Sequence, residues 1–414
     1  MIIDLKGSFF VRLETGIVVF YLLSGIISIV PDVLMSRLAY LITFALVIPR
    51  IRRILYLLLK NPFLLAFITL SATSFLWSVE PDTSFRMGIG IARISLFGAY
   101  LAVRYSTQDL LKIIASVLGV AAILSFFTVL AIPGEGVRDG SWVGIYNHKN
   151  LLGRRMALSA MLFAFWALGS QSWKIKWSLW GLSGLSAFLV IMSQSFAGII
   201  LLGSFIPLIP FYKATKNNSK FTLKTAVFSL LLFLFLLATS VILENLAAIF
   251  GFFGKDLSLT GRIPIWRAML EISADRPLLG YGIGNAMWKI PALVARTNQS
   301  WNAPDSHNGF LELLVGLGLI GLTLFLLSYL TTLVKAIYYI KLKKTKSIQD
   351  FWVIQYLVLL FITNFSEDEL LKSGSAWMYY VIIVLSTTMV NLRNRDITNP
   401  YLNHSRKNKY FSPL

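Results

Sequence analysis

His307 is the residue of this chain best placed to move a proton. It lies in the stretch Trp301-Asn302-Ala303-Pro304-Asp305-Ser306-His307-Asn308-Gly309-Phe310-Leu311-Glu312, which closes a long polar segment and leads into the apolar run over residues 313–330. Ionisable groups at the mouth of a membrane helix are costly to keep, so they mark function by default. A histidine can accept a proton from a hydroxyl, an effect worth about 10²–10⁴-fold in rate. Asp305 and Glu312 flank it as acceptor-positioning groups, and Asn308 is suited to cap the helix that follows. Of the other two histidines, His404 falls in the C-terminal tail, while His148 is expected on the same side as His307. His148 and the adjacent Lys149 join the list of candidate acceptor contacts.

Arginines supply the complementary chemistry. Arg86 and Arg93 lie two helical turns apart, and Arg154-Arg155 opens an apolar run just after His148-Lys149-Asn150. Snorkelling of the charge to the interface accounts for Arg86 and Arg138. It accounts less well for Arg93, Arg154 and Arg155, whose runs contain no carboxylate. Guanidinium forks suit phosphate oxygens, so these arginines are expected to meet an anion such as a lipid diphosphate. Acidic groups are sparse. Glu80 and Asp82 read as solvated loop charges, while Glu367, Asp368 and Glu369 sit together in a late loop, where Glu367 is a candidate acceptor-positioning group. No Asp-x-Asp pair occurs in the segments expected outside, so a metal-independent mechanism with no cofactor is expected.

These residues are embedded in a membrane protein. The chain has 414 residues, 56% of them hydrophobic and 14% charged, where soluble domains carry about 25% charged. Its 38 Lys+Arg against 19 Asp+Glu leave a formal charge of +19. With the N-terminus inside, Lys6 and Arg12 are joined by alternate loops that hold Arg50, Arg52, Arg53 and Lys60, then Arg104 and Lys112, Lys174 and Lys176, Lys213, Lys216, Lys220 and Lys224, and the lysines of residues 335–346, with Arg393, Arg395, Arg406, Lys407 and Lys409 in the tail. That places about two-thirds of the basic residues on one side, as the positive-inside rule requires. The surplus is therefore topology, both termini are expected in the cytoplasm, and nucleic acid is not a partner. There is no cysteine, which excludes disulfides and thiol chemistry. The apolar run over residues 17–30 lacks a small-x-small cleavage site and reads as a retained span.

A bilayer core needs roughly 20 apolar residues per helix, and by that measure the chain has about twelve spans. They fall at residues 16–30, 34–48, 62–77, 87–103, 110–132, 151–168, 177–192, 196–211, 223–242, 309–330, 351–365 and 375–390. The expected organisation is an all-α polytopic fold. It has N-terminal transmembrane helices over 1–248, a long outward loop over 249–307, C-terminal transmembrane helices over 308–391 and a basic tail over 392–414. A loop of that length is usually functional or disordered. This one contains Thr260-Gly261-Arg262-Ile263-Pro264-Ile265-Trp266-Arg267, a capped short helix with Pro in its first turn. Ile263, Trp266 and Leu270 share one side of it and are expected along the membrane surface.

Three motifs in order carry a resemblance. They are Asp256-Leu-Ser-Leu-Thr260-Gly261-Arg262-Ile-Pro-Ile-Trp266, then Gly280-Tyr281-Gly282-Ile-Gly284, then Ser306-His307-Asn308-Gly-Phe-Leu311-Glu312 with Gly316-x-Gly318. Together with Asn364-Phe-Ser-Glu367, they resemble the O-antigen ligase/polymerase superfamily over residues 70–390. Trp142-Val-Gly144-Ile-Tyr-Asn-His148-Lys149-Asn150 is similar to the subgroup associated with exopolysaccharide production. The resemblance implies a GT-C-like fold in the bacterial inner (plasma) membrane and transfer of glycan from undecaprenyl diphosphate on the periplasmic side. The acceptor would be a growing glycan or a lipid-sugar, with membrane lipid and other polysaccharide-assembly proteins as further partners. It implies that Arg262 binds the diphosphate and His307 activates the acceptor hydroxyl. Arg267 lies about 140° from Arg262 on a regular helix, so both face one ligand only if Arg262 precedes the helix.

Attack of a hydroxyl on an anomeric carbon that carries a diphosphate needs charge stabilisation on one side and proton acceptance on the other. Single displacement inverts the centre. Polymerase is favoured over ligase by the His148-Lys149-Asn150 segment. The rival class is a lipid-oligosaccharide flippase or other transporter. A transporter should place polar residues at mid-membrane in helices broken in both halves, whereas the polar residues here gather at the outward mouth.

Overall fold

The structure is a computed structural model and describes residues 9–26, 32–205, 262–284, 306–342, 347–370 and 374–398. Thirteen helices longer than one turn can be followed in these stretches: α1 (Phe9–Ser24), α2 (Asp32–Val47), α3 (Ile51–Leu59), α4 (Pro62–Thr73), α5 (Pro81–Arg104), α6 (Thr107–Ala131), α7 (Lys149–Gly169), α8 (Trp173–Met192), α9 (Phe196–Gly203), α10 (Arg262–Ser273), α11 (Gly309–Leu342), α12 (Trp352–Ser366) and α13 (Ser375–Thr398). Their starts carry local signals. Pro62 and Pro81 stand in the first turns of α4 and α5, and Ser106 caps α6 by accepting from the Asp109 N–H.

Among the described residues, seven helices are long and apolar enough to cross a membrane, or eight if the bent pair over residues 34–59 and 62–76 is one span. The expected count of twelve is not reproduced. The run at 16–30 meets α1, a helix of 16 residues and about 24 Å at ~1.5 Å per residue, and the run at 34–48 continues through α2 into α3 as one stretch over 34–59. The run at 62–77 becomes the 12-residue α4, bent 108° from its predecessor. The run at 223–242 lies outside the described residues. One small departure from all-α is a hairpin after α6. Strands β1 (Val137–Arg138) and β2 (Ser141–Trp142) pair antiparallel across an Asp139-Gly140 turn with both φ positive, the residue pair that such a turn selects.

The core is a wall of aromatic side chains. Trp352, Tyr356, Trp377, Tyr380 and Phe97 are fully buried where α5, α12 and α13 pack. Gly98 permits that approach, since a Cβ there would stand 3.0 Å from the Met378 carbonyl. Two polar ends result. At one end Glu14 pairs with Arg50 (2.7 Å) and Arg104 (2.9 Å), Asp350 accepts from Tyr339 (2.8 Å), and Lys335 donates to Asn61 (2.7 Å). At the other end gather the starts of α5, α7, α11 and α13 and the close of α12.

α11 is broken at Gly318, whose φ of 65° and ψ of −167° suit glycine. The backbone of residues 277–282 docks into the break. Tyr281 and Gly282 N–H donate to the carbonyls of Val315 and Gly316, and Leu319 and Ile320 N–H donate to those of Pro277 and Leu278. α10 covers this junction with Ile265, Ala268, Met269 and Ile272, which pack on Tyr281 and Val315. The expected apolar side of α10 is therefore rotated. Leu270 is 52% exposed, because the helix meets α11 rather than a flat surface. Ile263's side chain lies outside the described residues.

Candidate functional site

The turn before α11 builds the site from its own backbone. Asn308 Oδ1 accepts the N–H groups of Phe310 (3.1 Å) and Leu311 (3.2 Å), and Glu312 Oε1 reaches back to the Ser306 N–H (2.9 Å). This reciprocal cap leaves His307 in the left-handed region, at φ 52°. Such a backbone costs of the order of 1 kcal/mol for a non-glycine residue and clusters at functional sites. Gly309 presses against the end of α12. Its N–H donates to the Glu367 carbonyl (3.2 Å), and a Cβ there would stand 2.2 Å from Asn364 Oδ1.

That contact brings His307 Nδ1 to 3.4 Å from Glu367 Oε2. Glu367 follows the last turn of α12 on extended backbone and is 6% exposed. Two residues of α7 one turn apart reach the same carboxylate. Arg154 pairs with Oε2 at 2.8 Å, and Asn150 Nδ2 donates to Oε1 at 3.0 Å. Arg154 also pairs with Glu369 Oε1 at 3.0 Å, and Ser195 donates to Asn150 Oδ1 at 3.2 Å. Burial pushes the Glu367 pKa up, but the hydrogen bond with His307 and the charge of Arg154 outweigh it, and the group is held down at about 2. Glu367 is thus an ionised anchor. With Nδ1–H donated to it, the basic nitrogen of His307 is Nε2, and the carboxylate stabilises the ring once it has taken a proton.

The other predicted residues are distributed unevenly. Arg155 points off another side of α7 and donates to Ser375 Oγ at the start of α13. It borders a cavity of about 30 Å³ that Arg154 and Glu369 also line. Arg154 is not the unpaired cation its run implied, because its carboxylates come from the loop after α12. Arg93 lies away from the cluster. It is twelve residues into α5, about 18 Å along the helix, where it donates to Tyr21 (2.8 Å) and stacks 5.0 Å from the Tyr40 ring centre. His148 is exposed and caps α7, its Nδ1 accepting from the Asn150 N–H (3.2 Å), while Lys149 donates to Ser141 (3.5 Å). Arg267 is exposed on α10. Arg262 begins α10, but its side chain lies outside the described residues, as does Asp305.

Asn150, Ser195 and Glu369 are the members of the cluster that sequence reasoning passed over as site residues. One signal was present: Asn150 and Arg154 are four apart at the start of one apolar run.

Two likenesses bear on this geometry. Residues 181–326 match the family described as O-Antigen ligase, a stretch that includes Arg262 and His307 but not Asn150, Arg154 or Glu367. The exopolysaccharide production protein ExoQ of Rhizobium meliloti (strain 1021) is 26% identical over 340 residues, covering 76% of this chain and 74% of that protein.

Proposed function

We propose that this chain, for which the two matches support the O-antigen ligase/polymerase family, transfers a glycan from a lipid diphosphate to a sugar hydroxyl. The observation that carries the reading is the cluster His307–Glu367–Arg154, with its second carboxylate Glu369, at the mouth of the helices. His307 Nε2 takes the proton of the acceptor hydroxyl, and Glu367 holds the ring and its developing charge. The hydroxyl oxygen attacks the anomeric carbon, and the carbon–oxygen bond to the diphosphate breaks with its electron pair on the leaving phosphate. Direct displacement inverts the centre. Arg262 and Arg155 meet the leaving phosphates, and Arg267 stands on the same short helix as Arg262. Arg154 positions the two carboxylates rather than the donor.

The donor in this reading is undecaprenyl-diphosphate-linked glycan, and the reaction takes place on the periplasmic side of the inner membrane. Support for that side is the basic end of the molecule opposite the site, where Arg50, Arg104 and Lys335 lie. Polymerisation is favoured over ligation because His148-Lys149-Asn150, the cap and first residues of α7, feed the site through Asn150. The chemistry needs no metal, and turnover is expected to survive a chelator.

The test is a product profile. Purified full-length protein receives a lipid-diphosphate-linked oligosaccharide with and without a separate lipid-sugar acceptor, alongside His307→Ala. A ladder from the donor alone, absent in the variant, supports the polymerase. Transfer only with the second acceptor identifies a ligase. No product, with the lipid moved to the opposite leaflet of liposomes, would replace the enzyme with a transporter.

A further inference from the structure

Glu367 is gripped at two points from one helix. Arg154 takes Oε2, and Asn150, one turn earlier on α7, takes Oε1. A single contact would let the carboxylate pivot about it. Two donors on successive turns of a rigid helix fix its plane, and with the plane they fix the direction in which Oε2 faces His307 Nδ1. An ionised carboxylate only accepts. Asn150 must therefore present its NH₂ to Glu367, which turns its Oδ1 the opposite way.

Ser195 meets that oxygen. It is fully buried and caps α9, its hydroxyl oxygen accepting the Gly198 N–H (3.2 Å) while its proton goes to Asn150 Oδ1 (3.2 Å). The turn ahead of it, with Gln194 at φ 51°, leads from α8 into α9. Glycines on both helices allow α9 to press on α7. A Cβ on Gly153 would stand 2.5 Å from Ser195 Cβ, and one on Gly198 would stand 2.9 Å from Gly153 Cα. The hydrogens of this chain all point one way, from Ser195 to Asn150 to Glu367. Turning the amide over would bring its oxygen against Glu367 Oε1, so the Ser195 hydroxyl and the carboxylate together hold the amide in one orientation.

We propose that Asn150 and Ser195 are positioning residues for the base. Ser195 sets the amide of Asn150, Asn150 sets the plane of Glu367, and Glu367 keeps the proton of the neutral His307 ring on Nδ1, which leaves Nε2 to accept. This role rests on His307 being the base of the transfer proposed above. It adds to that base the start of α9, three side chains away along the chain of contacts.

The test compares the purified full-length chain with Asn150→Ala, Ser195→Gly and the double variant. Transfer kinetics and thermal unfolding are read together with the histidine nitrogen NMR spectrum, at a pH where the ring is neutral and with the His307 signal assigned by its loss in His307→Ala. Glycine serves at a helix N-cap nearly as well as serine, so Ser195→Gly removes the donor and leaves the cap. Asn150→Ala should lower kcat about 10–100-fold, as expected for one lost hydrogen bond to a charged group, and Ser195→Gly about 2–10-fold, since its lost bond is neutral. KM for donor and acceptor should stay near the wild-type values, and the His307 signal should move from the Nδ1–H tautomer towards a mixture. The double variant should be no slower than Asn150→Ala, because Ser195 acts only through Asn150. Wild-type kcat in Asn150→Ala, or an unmoved His307 signal, overturns the proposal. A rise in KM alone would make Asn150 a substrate contact, and an additive double variant would give Ser195 a separate structural effect; either result overturns it too. If the tautomer shifts in variants of a protein that transfers no glycan, the positioning stands and the transfer reading falls. Transfer by the wild type with an unmoved tautomer in the variants is the reverse.

Discussion

Replacing Glu367 by Gln tests the centre of the proposed mechanism. The side chain is 8% exposed, and its carboxylate takes three donors on two oxygens: Asn150 on Oε1, and Arg154 and His307 on Oε2. An amide keeps the shape but offers one acceptor. If its oxygen faces Arg154 and His307, its NH₂ faces the Asn150 NH₂. Asn150 cannot turn over freely, because its own oxygen accepts from Ser195. The carboxylate's pKa falls from 4.5 to about 2 in the folded chain, which is worth about 3 kcal/mol at ~1.4 kcal/mol per unit. A depressed carboxylate contributes its stability above its unfolded value. In the wild type that contribution is therefore present at neutral pH and lost as pH falls from 4.5 towards 2. Glu367→Gln should lose about 3 kcal/mol at pH 7 and show a flatter acid limb in thermal unfolding. Its transfer rate should fall about 10²–10⁴-fold, because His307 loses the partner that fixes Nε2 as the base. Glu369→Gln is the control. It weakens one Arg154 contact, leaves the His307–Glu367 pair in place, and should lose stability with a much smaller loss of rate. Wild-type turnover and an unaltered acid limb in Glu367→Gln would refute the reasoning, as would equal rate losses in the two variants.

Further expectations concern residues around this pair. Arg262→Lys should reduce transfer sharply with normal protein levels in the membrane, since a lysine lacks the bidentate fork; wild-type turnover would remove Arg262 from diphosphate recognition. Gly309→Ala drives a Cβ to 2.2 Å from Asn364 Oδ1, which itself accepts the Glu369 N–H. It should cost about 1–3 kcal/mol by overpacking and lower the transfer rate, read by thermal unfolding and product yield together; an unchanged transition temperature would show that the turn relaxes freely. Arg93→Gln should leave transfer near the wild-type rate, because Arg93 rests on Tyr21 and Tyr40 rather than on the cluster. A loss of transfer with unchanged stability would return it to the site.

The sequence made the long apolar runs, the turn ahead of α11 and His307 itself legible, because each depends on residues close in the chain. Apolar length over 107–131 or 309–342 and an Asn one residue ahead of a helix are local facts. What escaped was set by packing at a distance. Glu367 was legible as a candidate from its motif, but its partner Arg154, more than two hundred residues earlier, and the second carboxylate Glu369 came into view only with the end of α12 packed against α7. Arg93 and Arg154 looked alike from sequence, and only helix rotation sends one to two tyrosines and the other to two carboxylates. The face of α10 was misjudged for the same reason: its buried stripe was fixed by α11 and Tyr281 rather than by a membrane surface.

The break at Gly318 also bears on how the chain assembles. Peptide groups left unpaired in an apolar surrounding cost several kcal/mol each, and the carbonyls of Val315 and Gly316 with the amides of Leu319 and Ile320 would be four such groups. Residues 277–282 satisfy all four, and they precede α11 in the chain, so they leave the ribosome first. α11 therefore keeps its bent shape only with that strip docked against it. The half-helix bearing Asn308 and Glu312 is then held by that strip as firmly as by the membrane half below it.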